Sequence, residues 1–352
     1  MDDNAVRFLE SAVLTPSPSG YEEKIQQLVR DYISPHADSV RTDIHGNVIV
    51  TRNAQANVRL MFAGHCDQIG MLVTHIDDNG YVYAQTIGGW DPQQLIGQRM
   101  SIWTDNEMVS AVISRKPIHL LTEKERQQVV QIEQLWLDIG AVSKDDAASL
   151  IRIGDPVTLQ LQYCPLRNKR VCGPGMDNKS GMWVVIEAVR RSGRLRCALH
   201  SVSTVQEEIG LRGAKTAAGS IHPHIAIAVD VTHATDCPTI DKNQQGDVRL
   251  GRGPVIFRGP NMNPKVTSRL IELAKGHKIP HQLAATGRAT PNDANVIQIH
   301  GSGVAAGLVA IPNRYMHSAT ETIDLADIDS AADLLARFAE SISEDDDWTP
   351  GF

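Results

Sequence analysis

The stretch Ala198 to Gly210 restricts the fold more than any other. Ala198 to Val205 reads as a buried strand, and it closes on Gln206-Glu207-Glu208-Ile209-Gly210, followed by a helix-like segment from Leu211 to Ala218. Two adjacent carboxylates at the mouth of a buried strand are unfavourable unless an opposite charge faces them. Taken alone, such a pair reads as a solvated loop. Four other stretches argue against that reading: Gly64-His65-Cys66-Asp67, Met176-Asp177-Asn178-Lys179, Val229-Asp230-Val231 and Tyr315-Met316-His317-Ser318. Each puts a His or carboxylate at or just past the end of an apolar run. Together they supply oxygen and nitrogen ligands for two divalent metals.

The rest of the chain says what carries these residues. A helix is expected near Ala5 to Val13, and a second where Ile25, Leu28, Val29, Tyr32 and Ile33 recur at helical spacing. Ser19 and Glu22 stand at capping-box spacing before it. Asn47 to Val50 and Val58 to Ala63 read as strands, the second delivering His65. From 68 to 163 short alternating runs are separated by turn signals, Asp78-Asn79-Gly80 being a hairpin turn. The charged middle of this region, Leu120 to Gln134, reads as a loop or short helix. After Gly173-Pro174-Gly175 an α/β rhythm returns: a helix over Asn178 to Arg191, the strand ending at Glu207, a strand from Ile225 ending around Asp230, a helix from Asn263 to His277, a strand from Val304 to Ile311, and a last helix from about Asp327 to Ile342. The Asp-Asp-Asp run at 345 to 347 begins a tail read as solvated.

The expected fold class is therefore α/β: a mostly parallel sheet flanked by helices, with a small β-barrel-like domain inserted. Residues 1–67 and 164–352 form the discontinuous catalytic domain and 68–163 the insert. In such sheets ligands bind beyond the carboxyl ends of the strands. A length of 352 residues agrees with two cores. The formal charge of −7 argues against nucleic acid as a partner. No apolar run approaches the roughly 20 residues that span a bilayer, so no membrane is expected. The acidic Met1-Asp2-Asp3-Asn4 start does not read as a signal peptide. Cysteines 66, 164, 172, 197 and 237 are odd in number and lack CxxC spacing, which points to reduced thiols in the cytoplasm.

The residue types sort into roles. His65 and Asp67 are two apart, so in an extended segment they share a side, and one can bind metal while the other orients it. A buried His hydrogen-bonded to an Asp explains the same pattern without metal. Cys66 points the other way and reads as packing. Asp177 can cap a helix, yet the glycines before it let the backbone come close to a ligand, and its two oxygens can bridge two cations. Asp230 ends an apolar strand, a poor place for an unpaired charge. His317 alone would be a surface histidine. Five ligand-type residues plus a spare carboxylate at Glu207 match a two-metal hydrolase.

In this order the motifs Gly64-His65-Cys66-Asp67-Gln68-Ile69-Gly70, Met176-Asp177-Asn178-Lys179, Gln206-Glu207-Glu208-Ile209-Gly210, Val229-Asp230 and Arg314-Tyr315-Met316-His317-Ser318 resemble the tetrahedral, TET-type dinuclear metallo-aminopeptidases. That family includes glutamyl and deblocking aminopeptidases and some proteins labelled endoglucanases. The resemblance implies a zinc-exopeptidase-like fold. It makes His65 and Asp230 ligands of one metal, Glu208 and His317 of the other, and Asp177 the bridge. Asp67 stands behind His65 and Glu207 is the general base. A cis peptide is implied at Asp177-Asn178. Two Zn²⁺ or Co²⁺ ions per subunit, small peptide substrates cleaved at the N-terminus, and a homo-oligomer follow, the latter a tetrahedral dodecamer built from dimers through the insert. Rival readings are a metal-dependent deacylase or carboxypeptidase on the same site, a glycoside hydrolase using Glu207 with another carboxylate, and a non-catalytic scaffold. A glycosidase leaves His65 and His317 unexplained. Gln68 stands where the family usually has Glu, and Thr290-Pro291-Asn292-Asp293-Ala294-Asn295 replaces a Gly-Thr-Asp-Ala type segment near the substrate.

Overall fold

The computed structural model describes residues 1–351, one short of the expected end of the catalytic domain at 352. Before the insert the strands are β1 (Ser39–Thr42), β2 (Val48–Arg52) and β3 (Arg59–His65). The insert contributes β4 (Gly70–Ile76), β5 (Val82–Ile87), β6 (Arg99–Trp103), β7 (Met108–Ser114), β8 (Trp136–Asp138) and β9 (Pro156–Leu159). Two short strands follow, β10 (Cys164–Pro165) and β11 (Arg170–Cys172). The remainder are β12 (Ala198–Thr204), β13 (Ile225–His233), β14 (Val255–Arg258), β15 (Gln282–Ala285), β16 (Ala305–Asn313) and β17 (Thr322–Asp324).

An eight-stranded sheet runs β1-β2-β12-β3-β13-β16-β14-β15. Its centre, β12-β3-β13-β16, is parallel, while β1, β2 and the β14–β16 contact are antiparallel. Alternation along β3 shows why the sheet is covered twice. Leu60 and Phe62 pack with the helices Asp3–Leu14, Glu23–Ile33, Met176–Arg191 and Leu325–Ser341. Met61 and Ala63 face the other way, against Arg212–Ile221 and Asp293–Ile297. The helix Met176–Arg191 is buried along most of its length, its apolar stretch Met182–Ile186 together with polar Asp177, Asn178, Lys179 and Glu187. Trp183 ties it to the first helix by donating its indole N–H to the Ala5 carbonyl at 2.9 Å.

The insert strands close a barrel in the order β4-β5-β8-β7-β6-β9 around a core that includes Val73, Val82, Ile102, Leu137 and Val157. Its first hairpin turns at Asp78-Asn79-Gly80, where Gly80 has φ +90° and Asp77 Oδ1 accepts the N–H groups of Asn79 and Tyr81 at 2.9 Å. The charged stretch folds into a helix of one turn, Glu123–Arg126, with a Thr122–Glu125 capping box.

Several expectations are corrected. β12 stops at Thr204 rather than Glu207, because Gln206 adopts a left-handed φ of 54° that ends the ladder. β13 continues past Asp230 to His233, held by pairing to β16 through His233–Asn313. β1, β14 and β15 were not anticipated; they are four-residue strands whose side chains alternate weakly in burial. Ser19 and Glu22 form no capping box: Glu22 makes no side-chain cap bond, and both side chains reach instead towards the site described next. The acidic tail is not simply solvated. Asp346 binds Arg269 at 3.0 Å, and Trp348 packs on Phe338 with ring centroids 6.0 Å apart.

Candidate metal centre

Strand register brings the histidines and carboxylates together. Thr204 lies beside His65 at the ends of β12 and β3, and Ala228 lies beside Ala63, which brings Asp230 level with His65. Asp177 comes two residues after Gly175, whose φ of 78° turns the chain inward, and sits in a kink at the start of the central helix; the Asp177–Asn178 peptide is cis. Contact between β3 and this helix depends on Gly64 and Gly181: a Cβ on Gly64 would lie 2.7 Å from the Gly181 carbonyl carbon and oxygen.

The five residues expected as ligands converge. His65 Nε2 lies 3.3 Å from Asp177 Oδ1 and 3.6 Å from Asp230 Oδ1. His317 Nε2 lies 3.2 Å from Asp177 Oδ2 and 3.5 Å from Glu208 Oε1. Two groups able to hold a metal result, His65-Asp177-Asp230 and Asp177-Glu208-His317, each with its ligand atoms within 4.8 Å of one another. Asp177 belongs to both, one oxygen turned to each histidine. Glu207 Oε2 stands 3.8 Å from His65 Nε2.

The charge balance fits a pair of cations. Asp67, Asp177, Glu207, Glu208, Asp230 and Asp293 crowd around only two imidazoles. Burial pushes Glu207 up to about 10, helped by Asp230, Asp293 and Glu208 against the opposing pull of His65. Burial also pushes Glu208 up to about 7, with Asp177 adding to it, and raises Asp230. Burial would lower His317, but the Asp177 and Glu208 carboxylates more than reverse it, to about 11. Asp177 is held low despite its burial, by His317 and His65. Glu208 Oε1 is buried without a hydrogen-bond partner. Excess buried negative charge with an orphaned oxygen is what hard or borderline divalent cations neutralise.

A shell of buried groups fixes these side chains. The His65 Nδ1 faces Asp67 on both counts, its carbonyl at 3.1 Å and its Oδ1 at 3.4 Å. Asp67 also accepts the Ser19 hydroxyl at 2.6 Å and the backbone N–H groups of Glu207 at 3.0 Å and Glu208 at 3.1 Å. Glu22 accepts the preceding N–H, that of Gln206, at 3.0 Å. Three successive amides of the Glu207–Glu208 loop are thus held by two carboxylates from the N-terminal third of the chain. Lys179, fully buried, donates to Gln68 Oε1 at 2.5 Å and to the Thr15 carbonyl at 2.7 Å.

Sequence reasoning missed two members. Glu321 accepts the backbone N–H groups of Asp177 and His317, both at 2.8 Å, and burial pushes it up to about 8. Asp293 takes the Thr204 hydroxyl at 2.7 Å and leaves its Oδ1 unpartnered; burial pushes it up to about 7. The usable signal for Asp293 was its place in the atypical 290–295 segment. Glu321 gave none. The insert also approaches more closely than expected: a Cβ on Gly88 would lie 3.3 Å from Glu208 Oε2, and one on Gly89 3.5 Å from His317 Nδ1. Beside the metal-binding groups opens a cavity of about 440 Å³ that includes Thr290, Pro291 and Asn292 in its wall. A cavity of about 610 Å³ between the barrel and the Pro16–Lys24 segment contains none of the clustered residues.

A helix-covered parallel sheet, acids and histidines at its carboxyl edge and an inserted barrel together define a metal-dependent exopeptidase. The family model described as M42 glutamyl aminopeptidase matches residues 46–334. A lysyl aminopeptidase of Pyrococcus furiosus is 37% identical over 97% of this chain and 99% of its own length. Among solved structures, the TET aminopeptidase of a marine sediment Thaumarchaeota archaeon superposes with a TM-score of 0.93 at 30% identity, covering 97% of both chains. The Pyrococcus horikoshii TET1 peptidase, described as assembling into a tetrahedron or a large octahedral shell, gives 0.85 at 30% identity over 96% of this chain and 100% of that one. The chain belongs to the M42 glutamyl aminopeptidase family. It is accordingly a hydrolase of the aminopeptidase kind, in a family where dependence on divalent metal is general.

Proposed function

We propose that this aminopeptidase works with two divalent cations, Zn²⁺ or Co²⁺, one held by His65, Asp177 and Asp230 and the other by Asp177, Glu208 and His317. The observation that carries the reading is Asp177, whose two oxygens face His65 at 3.3 Å and His317 at 3.2 Å. When bound, such ions supply Lewis acidity, polarising a scissile carbonyl and making water acidic near neutral pH. Glu207 is then the proton carrier: it takes a proton from the attacking water and gives it to the leaving amine. Glu207 is raised first by burial and then by Asp230, Asp293 and Glu208; positive charge held by Asp230 and Glu208 would offset that second part and let Glu207 act as a base. Asp67 orients His65 and, through the Glu207 and Glu208 amides, the loop that carries the base. The acidic lining favours a free, positively charged α-amino group over a blocked terminus and so restricts cleavage to the first residue.

The test is reconstitution. Metal-stripped protein loaded with Zn²⁺ or Co²⁺ should bind two equivalents and cleave peptides with a free N-terminus. Fewer than two equivalents refutes the two-cation site. Equal cleavage of N-acetylated peptides transfers the assignment to a deacylase, and peptide turnover that survives exhaustive chelation refutes the metal mechanism.

For assembly, residues 68–163 form the proposed oligomerisation domain of a tetrahedral dodecamer built from dimers. The support is a separately closed barrel and the tetrahedral assembly named for the Pyrococcus horikoshii relative. Light scattering that gives a monomer at micromolar concentration refutes it. The proposed compartment is the cytoplasm, in line with five free cysteines; among the described residues no helix is long and apolar enough to cross a membrane.

A further inference from the structure

We infer that the residue removed is uncharged and largely apolar; this rests on the aminopeptidase reading above. The 440 Å³ cavity has the metal-binding acids and histidines on one side. A substrate whose scissile bond lies there must place its first side chain against the remaining wall. That wall is built from Val231, Phe257, Leu308 and Met316, with neutral threonines and Asn292 between them. Beyond the clustered acids and histidines its sole ionisable member is His233, exposed at the end of β13.

Thr290 and the Asn292 oxygen of this wall are already engaged. The Thr290 hydroxyl donates to Asn292 Oδ1 at 3.0 Å and accepts from the Asn261 amide at 3.0 Å. Arg314, two residues before Met316, is committed to Asp236 by bonds of 2.8 Å and 2.7 Å. An incoming glutamate side chain therefore meets no Lys or Arg and, outside the clustered histidines, only His233, while an incoming lysine meets no carboxylate beyond the metal-binding acids and Glu207. Burying either charge unpaired is unfavourable, whereas an aliphatic side chain gains by leaving water. The names of the family and of the Pyrococcus furiosus relative refer to glutamyl and lysyl residues. Neither preference finds its counter-charge here.

The experiment has two arms. In the first, protein loaded with Zn²⁺ or Co²⁺ is assayed on leucyl, methionyl, glutamyl and lysyl p-nitroanilides. Leucyl or methionyl substrates should exceed both charged ones in kcat/KM by at least about 10-fold; a higher value for glutamyl or lysyl overturns the inference. In the second arm, calorimetry measures L-leucine, L-glutamate and L-lysine binding to the same protein. Leucine should bind about 10-fold tighter than either charged amino acid. Hydrolysis of no substrate would sink the aminopeptidase reading, and the binding arm then decides: leucine first keeps the wall's preference, lysine or glutamate first overturns it. Thr232→Asp adds a carboxylate to the wall and should raise the lysyl-to-leucyl ratio about 10-fold. Thr286→Asp, on a loop, replaces it where Thr232→Asp does not fold. No change in that ratio with a folded variant also overturns the assignment.

Discussion

Gly64 offers the sharpest test of how the site is held. A Cβ there would stand 2.7 Å from the carbonyl carbon and oxygen of Gly181 and 2.9 Å from the Met182 nitrogen. All three are backbone atoms, so no rotamer change relieves the contact. Restoring an ordinary separation of about 3.4 Å requires β3 and the central helix to part by about 0.7 Å. His65 follows Gly64 directly, and Asp177 lies in the same helix as Gly181, so the gap between their side chains, now 3.3 Å, widens towards about 4 Å. Overpacking of this kind costs typically about 1–3 kcal/mol, which appears as a melting temperature lower by a few degrees. Misplacement approaching 1 Å in a catalytic arrangement costs up to about 10²-fold in rate. Gly64→Ala should therefore lose about 10- to 100-fold in kcat and bind its metals more weakly. Gly276→Ala, where nothing lies within 4 Å of the added carbon, serves as the control. Turnover on a free-amine peptide and metal affinity by equilibrium dialysis would be measured for both. Wild-type turnover and metal affinity in Gly64→Ala would refute the claim that this backbone approach sets the distance between His65 and Asp177.

Glu207→Gln should lose about 10²–10⁴-fold in kcat while keeping its metals, whereas Glu208→Gln should lose metal as well; metal loss in both variants alike would show base and ligand to be misassigned. Glu22→Ala leaves the half-buried Gln206 N–H without its acceptor, at a cost of about 1 kcal/mol, read by chemical denaturation; an unchanged midpoint would contradict the role given to Glu22. His200, beside Thr51 Oγ1 at 3.1 Å, is pushed down to about 4 by burial and by Arg41 and Arg59. Its contribution is thus complete above its ordinary value of 6.5 and is lost as pH falls towards 4, so the melting temperature of His200→Gln should fall less over that interval than wild type. Cys164 and Cys172 pair directly across β10 and β11. Treatment with diamide should join them, leaving three of the five free thiols by thiol titration, and five remaining thiols would show that the pair cannot close.

The sheet was legible because its central strands announce themselves twice, by apolar content and by the residue that ends them. Val58 to Ala63 followed by His65 is the clearest case. β14 and β15 were not legible: at the sheet's edge, Gln282–Ala285 alternates between half-buried and exposed positions, and no local pattern separates that from a loop. Ser19 and Glu22 show a different failure. Their spacing satisfies a helix cap, but the acceptors and donors that claim them, Asp67 and the Gln206 amide, come from distant segments. Local chemistry was read correctly and the partner was non-local. Asp293 and Glu321 escaped for the same reason, since a buried carboxylate differs from an exposed one only by what folds over it. The barrel was visible as alternation, whereas its approach to Glu208 and His317 through Gly88 and Gly89 depends on how the two parts dock.

That docking carries a mechanical consequence. The chain leaves the site at Asp67 and enters the barrel at Gly70. It returns through β9 and reaches Asp177 only after β10 and β11. Meanwhile the turn after β5 lies over Glu208 and His317. The covalent entry beside His65 and the turn over His317 thus belong to the same barrel, while the return to Asp177 passes through the separate β10-β11-β17 sheet. A displacement of the barrel therefore reaches one histidine through its covalent entry and the other through contact. Catalytic competence then becomes a property of how the barrel is seated.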